Sequence, residues 1–96
     1  MVEDIYFYIR QDLILHQGDL LNLQNYYTHK YRSKDVRLDI NVGIFLNDNQ
    51  EDVVQIYVAD KFTKIREQLI LKNNKIIDSI LTLKRFTHEQ EDRERD

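Results

Sequence analysis

The segment Asn25 to Lys34, NYYTHKYRSK, sets Tyr26, Tyr27 and Tyr31 among Lys30, Arg32 and Lys34. Tyrosine rings stack on unpaired bases while Lys and Arg neutralise phosphates, which is the minimum chemistry of a single-strand binder. The same residues have a plainer use, with Tyr27 and Tyr31 filling the buried stripe of a helix whose basic end complements its dipole. Because Asp35 follows at once and the whole chain is net negative, the plainer use is favoured. Nucleic-acid binding through residues 26–34 is the alternative function.

Two further groups of residues point to protein partners. Asp48, Glu51 and Asp52 sit together in a polar stretch, and Glu89, Glu91, Asp92, Glu94 and Asp96 crowd the end of the chain. An acidic surface can occupy a basic groove by imitating phosphate, although Arg93 and Arg95 interrupt the imitation in the tail. Tyr6 and Tyr8 lie in an unbroken run of bulky residues from Ile5 to Ile9. If both faces of that run are covered, the outer cover can be another subunit, because Tyr suits an interface that takes an apolar body and a polar tip. A homodimer would follow; the competing reading covers both rings within one chain.

Most enzyme constellations are missing. Gly18 and Gly43 are the only glycines, too few for a phosphate-cradling loop. No lysine has an acid two residues before it, as a common nuclease pattern requires. His16, His29 and His88 are scattered, and the zinc-protease spacing begun by His88 and Glu89 ends on Asp92. Ser33 and Ser79 lie in no elbow motif. Neither an enzyme nor a metal or other cofactor is expected.

The chain has 96 residues, 42% hydrophobic and 32% charged, enough for one core and too few for two. It lacks Cys, so no disulfide or thiolate chemistry is open to it, and its apolar runs are too short to span a bilayer. Glu3 and Asp4 stand where a secretory signal needs cations, so a cytoplasmic protein is expected. Abundant Ile, Asn, Lys and Tyr, with Ala59 the sole alanine and no proline, is the bias of an AT-rich genome such as those of low-GC bacteria and their phages.

The elements that must position these residues follow from periodicity. Ile5, Phe7, Ile9, Leu13 and Leu15 fall on alternate positions and predict a strand over 3–15. Gly18 breaks it, and Asp19 caps a helix to about Arg32 in which Leu20, Leu23, Tyr27 and Tyr31 share a face. Val36, Leu38, Ile40, Val42, Ile44 and Leu46 alternate without a gap, predicting a strand with one buried face. Val53 to Val58 reads as a returning strand, with Leu46 beside Val54, Ile44 beside Ile56 and Val42 beside Val58; a helix capped by Asn49 fits the spacing equally well, and the branched residues decide for the strand. From Lys61, Phe62, Ile65, Leu69, Ile76, Ile80 and Leu83 form a helical stripe. Asn73 and Asn74 interrupt it, and a hairpin of Leu69–Leu71 with Ile76–Leu81 around them is the competing reading.

The expected fold is therefore α+β: a three-stranded antiparallel or mixed sheet in the order strand, helix, strand, strand, helix, with the helices on one face. Residues 1–86 make one domain and 87–96 a charged tail. The expected function is a non-enzymatic intracellular binding protein acting on a larger host protein, most concretely a small phage- or mobile-element-type regulator or inhibitor of a nucleic-acid-processing enzyme. Tyr6, Tyr8, Asp48, Glu51 and Asp52 are its candidate contacts, with no membrane involved.

Overall fold

The computed structural model describes residues 1–16 and 20–86. Helix α1 (Val2–Leu15) is followed by a 3-10 turn at Leu20–Leu23, helix α2 (Gln24–Lys30), and strands β1 (Asp39–Leu46), β2 (Asp52–Ala59), β3 (Thr63–Lys72) and β4 (Lys75–Arg85). The strands form a four-stranded antiparallel sheet in chain order, with α1 packed against β2 and β3 and α2 against β1 on one face. The α+β class is as expected, whereas the strand count and the element order are not.

The predicted first strand is a helix. Val2, Tyr6, Ile9 and Leu13 are its buried residues, spaced at helical intervals, and Glu3 and Asp4 in the first turn suit the positive end of its dipole. The strand reading makes Tyr6 an outward-facing candidate contact for a partner, but its ring is core. The second element is helical as predicted, with Leu20, Tyr27 and Tyr31 buried and Leu23 packed against them, but it divides into the 3-10 turn and α2. The predicted cap and break at Asp19 and Gly18, like the predicted charged tail, lie outside the described residues.

The third element begins at Asp39 rather than Val36. Asp35 holds the approach in a turn, its carboxylate accepting the Arg37 backbone N–H at 2.9 Å and the guanidinium at 2.9 and 3.1 Å, so Val36 is fully exposed. Val42 is buried and Leu38, Ile40 and Ile44 pack on the core, but Leu46 is exposed at the hairpin end of β1, opposite Asp52. The turn after it is built on Asn47, whose Oδ1 accepts the N–H groups of Asn49 and Glu51 at 3.0 and 2.9 Å. β2 is the predicted strand, buried at Val53, Val54, Ile56, Val58 and Ala59. Its register on β1 pairs Val42 with Ile56, Ile44 with Val54 and Leu46 with Asp52, two residues from the predicted one. An even slip keeps every apolar residue on its face, which is why alternation alone could not tell the two registers apart.

The predicted long helix is the β3–β4 hairpin. Asp60 opens it by accepting the Phe62 and Thr63 N–H groups, both at 2.8 Å. On the helix-covered face β3 presents Ile65, Glu67, Leu69 and Leu71, all buried. The carboxylate at 67 interrupts what would otherwise read as strand alternation and leaves only the helical spacing of Phe62, Ile65 and Leu69 visible. Asn73 and Asn74, the apparent helix defects, both have positive φ, 54° and 64°. They form the two-residue turn that matches strand twist, with Lys72 paired to Lys75 on either side.

Leu69 has no exposed surface beneath α1. Leu69→Ala should cost about 2–5 kcal/mol by lost burial and cavity formation, read as a lower midpoint in urea denaturation.

Candidate functional site

Of the polar contacts that fasten the helices, two absorb predicted site residues. Glu67 is buried on the inner face of β3, where its Oε1 accepts the Tyr6 hydroxyl at 2.8 Å and the Arg10 Nε–H at 2.9 Å, both from α1. Asp12, two residues further along α1 than Arg10, accepts the Tyr31 hydroxyl and the Lys30 ammonium, the latter at 3.1 Å. Burial opposes ionisation of Asp12, but the bonds from Tyr31 and Lys30 outweigh it and hold the carboxyl below its usual range. The Asp12 carboxylate in turn raises the Lys30 pKa, and burial together with the bond to Asp12 raises that of Tyr31.

The 26–34 segment is thus divided, with two of its tyrosines in the core and most of its other residues at the surface. Tyr27 and Tyr31 are buried and stacked on one another, with centroids 5.9 Å apart and planes 7° apart. Lys30 pairs with Asp12 and lies 5.3 and 5.1 Å from the ring centroids of Tyr26 and Tyr31. Tyr26, Arg32 and Lys34 remain exposed. Of the predicted protein contacts, Tyr6 is buried and Tyr8 is exposed on α1 with an edge-on contact to Tyr31. Their expected pairing on one strand face is lost with the strand. Asp48 is exposed, while Glu51 and Asp52 are half-buried in a shallow depression shared with Lys72 and Asn73, where the β1–β2 and β3–β4 turns meet.

A surface not anticipated from the sequence lies along β4. α1 covers β2 and β3, which leaves a groove of about 120 Å³ between α1 and β4, lined by Tyr6, Phe7, Ile65, Leu81 and Leu83. Phe7 is 62% exposed, Leu81 55%, Leu83 45%, and Ile80 on the opposite face of β4 53%. An ion pair between Glu3 and Arg85 closes one end. Alternation of Leu81 and Leu83 would have signalled this strip had the segment not read as a helix. Among the described residues no helix is long and apolar enough to cross a membrane.

Burial, and then the bond to Glu67, push the Tyr6 phenol up from 10.0 to about 12. A raised pKa in the folded state contributes stability that is present below pH 10 and lost as pH rises toward 12. Tyr6→Phe should make that alkaline fall shallower while costing ~1.5–3 kcal/mol at neutral pH, the worth of a hydrogen bond to a charged group. Urea midpoints measured across this pH range check both. No known protein family matches the chain, and no curated protein or solved structure does.

Proposed function

We propose that the chain is a non-enzymatic binding protein that acts on a larger protein by pairing β4 with an extended segment of that partner. The observation that carries the reading is β4 itself: eleven residues at the sheet edge, paired on one side only among the described strands, with exposed apolar side chains on both faces. Edge strands are ordinarily protected by charge, proline, a central bulge or a covering element. β4 carries its charges toward its ends, at Lys75, Asp78, Lys84 and Arg85, and its irregularity opposite Ile70 and Leu71, near its start. Among the described residues the stretch from Ile80 to Leu83 has none of these protections, while at Ser79 the Asp78 carboxylate accepts the backbone N–H at 2.8 Å. Strand addition would use its free N–H and C=O groups for affinity and the Phe7–Leu81–Leu83 groove for specificity.

A larger partner suits this surface better than a second copy. α1 sits over β2 and β3, so joining two copies edge to edge would hold their α1 helices about 19 Å apart, at ~4.8 Å per strand. Packed helices approach to about 8–10 Å, so such a dimer would satisfy the strand edges and leave both grooves open. A partner with a segment to pair and a further element to lay over the groove covers both. The regulators and inhibitors of nucleic-acid enzymes that phages and mobile elements encode are the class this reading favours. Asp48, Glu51 and Asp52, away from the groove, would contribute steering by charge.

Photo-crosslinkers placed at position 81 and at position 7 should capture the same protein from host lysate, and one at position 48 should capture it weakly or not at all. Leu81→Lys with Leu83→Lys should abolish capture and leave the melting temperature nearly unchanged, since both side chains are about half exposed. Crosslinking only to a second copy of the chain would overturn the reading in favour of self-association.

A further inference from the structure

The sheet face turned away from the helices carries a cluster of cations. Register places Tyr57, Arg66 and Thr82 side by side across β2, β3 and β4, and Ala59, Lys64 and Lys84 in the parallel row beyond them. The Lys64 ammonium lies 5.7 Å and the Arg66 guanidinium carbon 5.4 Å from the Tyr57 ring centroid. Lys64 and Lys84 are directly opposite one another, an arrangement that destabilises a sheet. Among the described residues no carboxylate forms an ion pair with Lys64, Arg66 or Lys84. The net charge of -3 misleads here, because residues 87–96 hold five of the acids and only two of the cations, so the rest of the chain is balanced.

We infer that this face binds single-stranded nucleic acid, with phosphates held by Lys64, Arg66 and Lys84 and bases set against Tyr57 and Phe45. Phe45 is exposed on the same face, four residues along β1 from the partner of Tyr57, about 13 Å away. An open antiparallel sheet with separated aromatic rings and flanking cations is the platform that unpaired bases and their backbone require. Lys64 and Arg66 are long enough to swing from the Tyr57 ring to a phosphate, which uncovers the ring for a base. An acidic protein would use the cations but leave both rings without a purpose. The surface lies on the opposite side of the sheet from the α1–β4 groove, so it neither needs nor excludes a protein partner there.

The test is fluorescence anisotropy of the full chain with a labelled oligothymidylate or oligouridylate about fifteen nucleotides long. Binding should weaken with salt at a log–log slope of about -2, at about -0.7 for each of three phosphate contacts, and Lys64→Ala, Arg66→Ala and Lys84→Ala together should flatten it nearly to zero. Tyr57→Leu should weaken binding without changing the slope, and Arg32→Ala with Lys34→Ala should leave it unaltered. Lys84→Glu gives a result that a structural role would not: it replaces a like-charge pair with an attractive one, so the melting temperature should rise while affinity falls about tenfold or more. Absence of binding at low salt, full binding by the triple variant, or equal competition by polyglutamate would each overturn the inference.

Discussion

A carboxylate beneath a helix is stable only if its neighbours answer its charge, and Glu67 is the one charged residue buried among those described. Tyr6 and Arg10 answer it from successive turns of α1, which fixes where along β3 the helix sits and which of its faces meets the sheet. Asp12 then comes within reach of Tyr31 and Lys30, so the same docking that satisfies Glu67 also fastens α2 to α1. No buried side-chain polar atom among the described residues lacks a partner. Breaking the first contact would therefore leave a charge buried with half its partners and loosen the second.

This placement makes the sheet asymmetric. Centred on β2 and β3, with α2 against β1, the helical layer stops short of β4. Among the described residues one edge of the sheet is dressed by a turn-rich approach and a short helix, and the other meets the helices only through the Glu3–Arg85 ion pair and the groove beside it. The apolar groove and the cationic outer face lie on opposite sides of the sheet, separated by its thickness.

What could be read from the sequence was what depends on neighbouring residues. The alternation from Ile40 to Ile44 with the run from Val53 to Val58 announced β1 and β2, and the stripe of Leu20, Leu23, Tyr27 and Tyr31 announced the α2 region. The first helix was hidden because Ile9 and Leu13 belong both to an alternating set and to the helical set of Val2 and Tyr6, and only the sheet beneath decides between them. β3 was hidden by Glu67, whose place inside depends on Tyr6, 61 residues away. The candidate sites fared according to the same rule. Tyr27 and Tyr31 followed the plainer reading of their segment. The row of Lys64 and Lys84 arises from strand register, to which neither residue's neighbours give a clue.

The long reach of the Tyr6–Glu67 contact also sets an order of events during synthesis. The strands pair with their sequence neighbours, so each hairpin can close as soon as its second strand emerges, whereas α1, made before them, cannot seat Tyr6 and Arg10 on Glu67 until that residue is made. At about 5–20 residues per second, 61 residues take roughly 3–12 s, far longer than a helix or hairpin needs to form. For that interval Tyr6 and Arg10 are on the nascent chain without the carboxylate that fixes α1 in place. The docking of α1 is thus completed only after α2, β1, β2 and the first half of β3 have been made.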